Sequence, residues 1–512
     1  MLMPNTQKLT ALDASFLHLE TPNTPMHSGG VAICEPSPLG TGRDLYEGLI
    51  RAIEPRLDMM PRYRQKLAFV PLKLDLPVWV DDEQFDIRKH VLRSHLPSPG
   101  GDEELAAFIG RLFSQLLDRR RPLWELHIVE GLPEGRWALI AKTHHAMVDG
   151  KSNLELVSIL MDTEPNVTRA AGKSTWTGEA GPSPLGLLLN SLREKAETPG
   201  RLIKTAQSAM ENPGRLATAL RDTASGLAVM ARTAGASTTA INGPIGPSRL
   251  YMTSRFSLAD FKAVKDAFGG TINDVVLAVV TGGLRHFLFE RGYEPEMELL
   301  KALCPVSIRD SSERSALGNR LAMLLVELPV GEEDVLRRYD IVRGRVDHLK
   351  ARKQAVGADF LLNLGGFAPP TLHAMVARSS LKQLGFNLVV TNVPGPQFPL
   401  YLQGARLVEA FPIAFLYEDQ RVSIAIFSYC GYLNFGYIAD QETMADLPVL
   451  VEGIEMALAE LALLARSESE RSNKGAARRT RTGTGSQRGS TDPPLRGRSA
   501  GARKEPVKVS AR

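Results

Sequence analysis

Between about residues 164 and 247 the sequence turns rich in Ala, Gly, Ser, Thr and Pro, and this break separates two blocks that both carry mixed strand and helix patterning. A chain of 512 residues exceeds what one ordinary hydrophobic core sustains, so the break predicts two α/β domains, over 1–163 and 248–465. In the first block the pattern gives a strand at Ser28–Cys34, helices around Asp44–Ile53 and Glu103–Leu117, and strands at Trp124–Glu130 and Trp137–Thr143. Ser152 and Glu155 have capping-box spacing at the start of a further helix. In the second, strands are expected near Leu388–Thr391 and Val422–Tyr429. The connecting segment 164–247 contains a short repeat, ETPGRL at 197–202 and ENPGRL at 211–216, with Thr198 and Asn212 as N-caps and Pro199 and Pro213 at first helical positions. It reads as a string of short helices.

Charge is unevenly placed. The net +4 resolves into +9 over residues 466–512 and −5 over the rest, so the basic character belongs to a tail poor in large apolar residues and expected to be disordered. The body has no nucleic-acid footprint. Three well-separated cysteines, Cys34, Cys304 and Cys430, exclude a disulfide scaffold and a CxxC metal site. The N-terminus lacks the pattern of a secretory signal, and no apolar run reaches ~18 residues, which leads to the expectation of a cytoplasmic, soluble or peripherally attached protein.

The sharpest chemical feature is His144-His145-Ala146-Met147-Val148-Asp149-Gly150 at the end of an apolar strand. Strand neighbours point to opposite faces, so the two histidines are not expected to chelate one ion. Gly150-Lys151-Ser152 spells the end of a P-loop, but the earlier glycine that motif requires would fall on His145. One imidazole as general base remains, since its ordinary pKa near ~6.5 leaves the neutral form available. A packed histidine pair is the alternative; the Asp-Gly at fixed spacing favours catalysis.

HHxxxDG is the signature of an acyltransferase superfamily that includes carnitine acyltransferases and nonribosomal peptide condensation domains. The version here resembles the bacterial wax ester synthase/acyl-CoA:diacylglycerol acyltransferase family. The likeness extends to LTALDASFLHLET (9–21), MHSGG (26–30), PLWELHIVEGL (122–132), NGPIGPSR (242–249), INDVVLA (272–278), CPVSIRD (304–310), LGNRLA (317–322), TNVPGP (391–396) and FSYCGYLNFGYIAD (427–440). It implies a two-domain chloramphenicol acetyltransferase-like fold with an active-site tunnel at the domain interface. His145 is then the general base, His144 a supporting residue and Asp149 an orienting one. Arg309 is a candidate ion-pair partner for Asp149 across the domains, with a surface arginine as the favoured alternative. Substrate-binding candidates are Trp124, Gly150, Asn273, Asp274 and Asn392, although Trp124 also suits a core position and Thr271 with Asp274 fits a capping box. No cofactor or metal is implied beyond acyl-CoA as co-substrate.

The implied acceptor is diacylglycerol, giving triacylglycerol, with a long-chain alcohol next. Such acceptors imply attachment to a membrane or lipid-droplet surface, for which the basic tail and helices around Leu202, Ile203, Leu216 and Leu220 are the candidates; a tail that is only a solvated, disordered end is the equal alternative. Two other readings stand beside this one. A condensation-type enzyme with a carrier-protein donor would favour a DFGWG-like motif, and the nearest stretch is Asn434-Phe435-Gly436-Tyr437. A non-catalytic lipid-binding protein need not keep both His145 and Asp149.

Overall fold

The computed structural model describes residues 6–147, 160–165, 176–194, 239–297, 300–307, 321–351, 356–357 and 385–483. Asp149, Gly150, the box at Ser152, the 14-residue repeat and Arg309 lie outside the described residues.

In chain order, the N-terminal part contains β1 (Gln7–Lys8), α1 (Ala11–Leu19), β2 (His27–Cys34), α2 (Arg43–Ile53), β3 (Gln65–Ala68), β4 (Val78–Asp81), β5 (Val91–His95), α3 (Asp102–Ser114), β6 (Trp124–Glu130) and β7 (Trp137–His144). The later part contains β8 (Arg249–Ser257), α4 (Leu258–Phe268), α5 (Ile272–Glu290), β9 (Leu300–Ser307), β10 (Leu321–Leu328), α6 (Val335–Ala351), β11 (Val356–Gly357), β12 (Leu388–Val393), β13 (Tyr401–Leu402), β14 (Ala405–Ile413), β15 (Val422–Tyr429), β16 (Tyr432–Asp440) and α7 (Leu447–Gly483). These form a small sheet, β1-β4-β3, a six-stranded sheet, β13-β14-β2-β7-β6-β5, and a seven-stranded sheet, β11-β10-β9-β12-β15-β16-β8.

The six-stranded sheet is buried on both faces because its strands are apolar on both. Val31, Ile33, Ala138 and Ile140 pack with Leu105, Ile109 and Phe113 of α3. The alternate residues Cys34, Trp137, Leu139, Leu126 and Ile128 pack with Leu45, Leu49 and Ile53 of α2. The seven-stranded sheet is asymmetric. One face, through Leu300, Ala302, Leu324, Val326, Leu388 and Val390, packs on α4, α5, α6 and α7. The other carries a smaller apolar set, Leu303, Met323, Leu325, Val389 and Phe386, in contact with Tyr417.

The domain boundary at 248 is crossed by the fold. β13 and β14 come from the C-terminal half yet complete the N-terminal sheet, β14 pairing antiparallel with β2 from Leu407↔Cys34 to Ile413↔Gly29. A register shift between Leu407 and Glu409 moves the inward face by one residue: Leu407 joins the α2 side, whereas Phe411 and Ile413 join the α3 side.

The expectation of a disordered tail from 466 also needs correction. α7 runs through that position to Gly483. Arg466 is held by Asp260 of α4 at 3.0 Å, and Ser467 to Arg471, which follow it in the helix, are exposed. α5 is, among the described residues, the one helix long and apolar enough to cross a bilayer; it is a core helix, with Val275 to Leu284 buried.

α5 meets α7 at Gly283, where an added Cβ would lie 2.3 Å from Ile454 Cγ1 and 2.9 Å from its backbone nitrogen. Gly283→Ala is therefore expected to destabilise by ~1–3 kcal/mol through overpacking, less a gain of about 1 kcal/mol in helix propensity. Calorimetric melting checks this; an unchanged or raised Tm would mean that the helices part without cost.

Candidate active site

The site is built where β2 and β7 end together. His27 pairs with His144 in the ladder, and the His145 N–H donates to Met26 C=O at 2.8 Å, so strand pairing carries the chain past the strand end into a 3-10 turn, His145–Met147. α1 lies over this turn. Its N-terminus is capped by Thr10, whose hydroxyl accepts the Asp13 N–H at 3.1 Å, and its C-cap is Glu20. The helix thereby sets Phe16 against His145 and Glu20 against His144.

The two histidines have different surroundings. His145 keeps a reachable edge but is enclosed by protein: its ring lies 4.4 Å from Phe16 and 5.0 Å from Phe415, centroid to centroid, and its Nδ1 is 3.2 Å from Ser28 Oγ. Phe415 follows β14, so the C-terminal half closes this side. Ring contacts continue from Phe415 to Tyr417 and Phe386, so His145 is joined by packed aromatic rings to the smaller apolar cluster of the seven-stranded sheet. Desolvation, and secondarily His144, push the His145 imidazole down to about 4.

His144 is fully buried. Its Nδ1 accepts the Ala146 N–H at 3.0 Å, so in the neutral ring Nε2 bears the proton, and Nε2 sits 2.9 Å from Glu20 Oε2. His27 Nε2 lies 3.3 Å from the same oxygen. Both approaches are off the ideal hydrogen-bond direction, which makes them close electrostatic contacts more than aligned bonds. Arg119 donates to Glu20 Oε1 at 2.9 Å and to Leu17 C=O. Burial alone would raise the Glu20 carboxyl, but His144 and His27 hold it far below the usual carboxylate range. Burial also lowers His27 to about 4, against the pull of Glu20.

Glu20, His27 and His144 offer ligand atoms within 4.8 Å of one another. The proton on His144 Nε2 and the guanidinium on Glu20 make this a charge-balanced buttress for the turn rather than a cation cage.

The other sequence-derived candidates fall elsewhere. Trp124 is not a pocket wall. Its Nε1 donates to Tyr63 C=O at 2.7 Å, its ring stacks on His90 at 4.7 Å, and it is buried in the α2-side core. Asp274 caps α5, its Oδ2 accepting the Thr271 N–H at 2.7 Å and the Thr271 hydroxyl at 2.8 Å. That commits one oxygen of this buried carboxylate to the helix, so Asp274 stands as a structural cap. Asn392 Nδ2 donates to Asn273 Oδ1 at 2.8 Å, tying the end of β12 to the start of α5; neither residue hydrogen-bonds His145.

Phe16, Glu20, His27, Ser28, Arg119 and Phe415 were not singled out individually by sequence reasoning. Glu20, His27 and Ser28 stand in the motifs at 9–21 and 26–30, but no local periodicity announces that Glu20 meets a histidine 124 positions later. Arg119 and Phe415 have no local signal at all.

The buried neutral imidazoles have a pH consequence. The unfolded chain, with histidines near ~6.5, binds more protons than the native state between that value and about 4. Their contribution to stability is complete above about 6.5 and is lost as pH falls toward 4. Denaturant unfolding across this range is expected to show that decline, and the acid limb of kcat/KM to lie more than one unit below 6.5; a limb centred at 6.5 would mean a solvated His145.

Comparison with known proteins places the chain in a family. Residues 9–276 match the wax ester synthase/diacylglycerol acyltransferase catalytic domain, and residues 317–462 the WS/DGAT C-terminal domain. The chain is 33% identical over 472 residues to tgs1 of Mycobacterium tuberculosis H37Rv, named a probable diacylglycerol O-acyltransferase, covering 91% of this chain and 98% of that one. It is 32% identical over 468 residues to tgs2 of the same strain, covering 90% and 98%. Among solved structures, the wax ester synthase/diacylglycerol acyltransferase of Marinobacter aquaeolei VT8 superimposes with a TM-score of 0.62 at 27% identity, covering 90% of this chain and all of that one. The trichothecene 15-O-acetyltransferase TRI3 of Fusarium sporotrichioides, at TM-score 0.59 and 12% identity over 89% of this chain and 94% of that one, shares the two-domain α/β fold. The chain belongs to the wax ester synthase/diacylglycerol acyltransferase family.

Proposed function

We propose that the protein is an acyl-CoA:diacylglycerol O-acyltransferase that makes triacylglycerol, with long-chain alcohols as a secondary acceptor class. The observation that carries this reading is His145: a desolvated, neutral imidazole set between the aromatic rings of Phe16 and Phe415, one from each half of the chain. The likeness to proteins named for diacylglycerol acyl transfer supplies the acceptor class.

In the proposed reaction Nε2 of His145 removes the proton from the acceptor hydroxyl as its oxygen attacks the thioester carbonyl. The tetrahedral intermediate collapses, the carbon–sulfur bond breaks, and the imidazolium returns the proton to the leaving thiolate. Ester and free thiol result, with His145 neutral again. His144 acts through the turn: the Ala146 N–H on its Nδ1 and Glu20 beside its Nε2 fix the backbone from which His145 projects. Asp149 is assigned an orienting role by its place in the motif alone.

His145→Ala is expected to lower transfer by ~10²–10⁴-fold while leaving the fold intact, because its ring partners are apolar and, among the described residues, its side chain's one polar contact is a hydroxyl. Product analysis with labelled palmitoyl-CoA, offered diacylglycerol and hexadecanol in competition, is expected to give mainly triacylglycerol. Wax ester as the dominant product overturns the acceptor assignment, and free acid alone overturns the transfer.

Because diacylglycerol resides in membranes, the protein is proposed to work peripherally, at the cytoplasmic face of a membrane or on lipid droplets. The helical stretch 184–194 presents Leu185, Leu189 and Leu192 exposed at i, i+4 and i+7, an apolar ridge of the kind that beds into a lipid interface. The basic segment beyond Gly483 adds electrostatic attraction to anionic lipid. Co-sedimentation with anionic vesicles is expected to fall for the Leu185→Ser/Leu189→Ser variant and for a chain ending at Gly483. Binding equal to the full chain in both would remove these two elements from the attachment.

A further inference from the structure

The His145 side chain has one polar partner among the described residues, Ser28, with Oγ 3.2 Å from Nδ1. Ser28 sits in β2 opposite Thr143, buried, and the same stretch receives the His145 backbone N–H at Met26 C=O. The strand is held closely here. At the next residue, Gly29, an added Cβ would fall 1.9 Å from Ala141 O and 2.9 Å from Phe113 Cζ, so β2 lies against β7 with no side chain between. Ser28 and His145 are therefore fixed relative to each other by backbone pairing, not by a flexible loop.

A serine hydroxyl can donate or accept, and the direction decides which imidazole nitrogen is bare. If Ser28 donated to Nδ1, the neutral ring would carry its proton on Nε2 and have no lone pair to offer there. If Ser28 accepts from Nδ1–H, Nε2 is unprotonated. Once Nε2 takes up a proton, both nitrogens bear hydrogens, and only an accepting hydroxyl stays bonded. One orientation thus serves both the resting ring and the imidazolium.

We propose that Ser28 is a positioning residue for the transfer reaction: it accepts the Nδ1–H of His145 and so keeps the Nε2 lone pair facing the acceptor hydroxyl. This rests on His145 being the general base. A hydroxyl in this place orients the ring without adding charge, which agrees with an imidazole that burial keeps neutral.

The test uses the full chain labelled with 15N-histidine and free of substrate, the His145 signal being identified by its loss in His145→Gln. Above pH 6 the wild-type ring is expected as the Nδ1–H tautomer. In Ser28→Ala, and in the size-matched Ser28→Cys, it is expected to shift toward Nε2–H. In the same variants kcat with palmitoyl-CoA and diacylglycerol should fall about three- to tenfold, the worth of one hydrogen bond, with KM within about twofold. The acid limb of kcat/KM should move to lower pH, because the imidazolium loses an acceptor. Ser28→Thr, which keeps the hydroxyl, should restore the tautomer and most of kcat. An Nε2–H tautomer in the wild type overturns the proposal, as does a tautomer unmoved by Ser28→Ala and Ser28→Cys, or a Ser28→Thr as impaired as Ser28→Ala. The tautomer is read without turnover. An Nδ1–H ring in a protein that transfers to no lipid acceptor would sink the proposed function while leaving the control of the tautomer by Ser28 supported.

Discussion

The ladder between β14 and β2 holds the rest of the molecule in place. It joins a strand from the C-terminal half to the N-terminal strand that carries His27 and Ser28, over pairs from Leu407↔Cys34 to Ile413↔Gly29. The chain leaving β14 passes the His145–Met147 turn that follows β7, and Phe415 thereby lies 5.0 Å from the His145 ring. The ladder is backed by a shared core in which Tyr251 and Ile438 pack with Ile109 and Phe113 of the N-terminal part. With it, a histidine from one half is roofed by an aromatic ring from the other. Desolvation of the base is thus a consequence of strand exchange.

Desolvation acts on two neighbouring groups with opposite results. His145 has aromatic rings on two sides and a neutral hydroxyl at Nδ1, so burial favours its uncharged form. Glu20 is buried as well, but Arg119 on one oxygen and two imidazoles on the other keep it ionised. The negative charge is therefore confined behind the turn, where it fixes His144, and is kept off the ring that must give and take protons. A buried carboxylate left unpaired would cost several kcal/mol, which is why the arginine is as much a part of the arrangement as the histidines.

Much of this was readable in the sequence where neighbouring residues decide the outcome. Val422–Tyr429 is found as a strand with the bounds its pattern suggests, Trp137–Thr143 lengthens by one residue, and the Thr271/Asp274 box caps α5. What escaped was decided by distance along the chain. Nothing near Ala405–Ile413 says that this strand belongs to a sheet begun at residue 27, because strand pairing is set by the whole packing. Trp124, which suits either a pocket wall or a core, went to the core once Tyr63 and His90 closed on it. The helix beyond 466 shows a different limit: composition speaks to apolar content, but a helix already nucleated and anchored by Arg466 to Asp260 extends past the point where the composition changes.

A base whose conjugate acid lies near 4 has a chemical consequence for the proposed transfer. Taking a proton from an alcohol in a free-standing step would be steeply uphill, so the proton must move as the new carbon–oxygen bond forms and the hydroxyl acidifies. The return step runs the other way. A thiol ordinarily titrates well above the lowered His145 imidazolium, so delivery of the proton to the leaving thiolate is downhill. A solvated histidine near ~6.5 would be a stronger base in the first step and a weaker acid in the second by the same amount. The apolar setting made by Phe16 and Phe415 therefore biases the site toward expelling the thiol, the step that commits the acyl group to the acceptor.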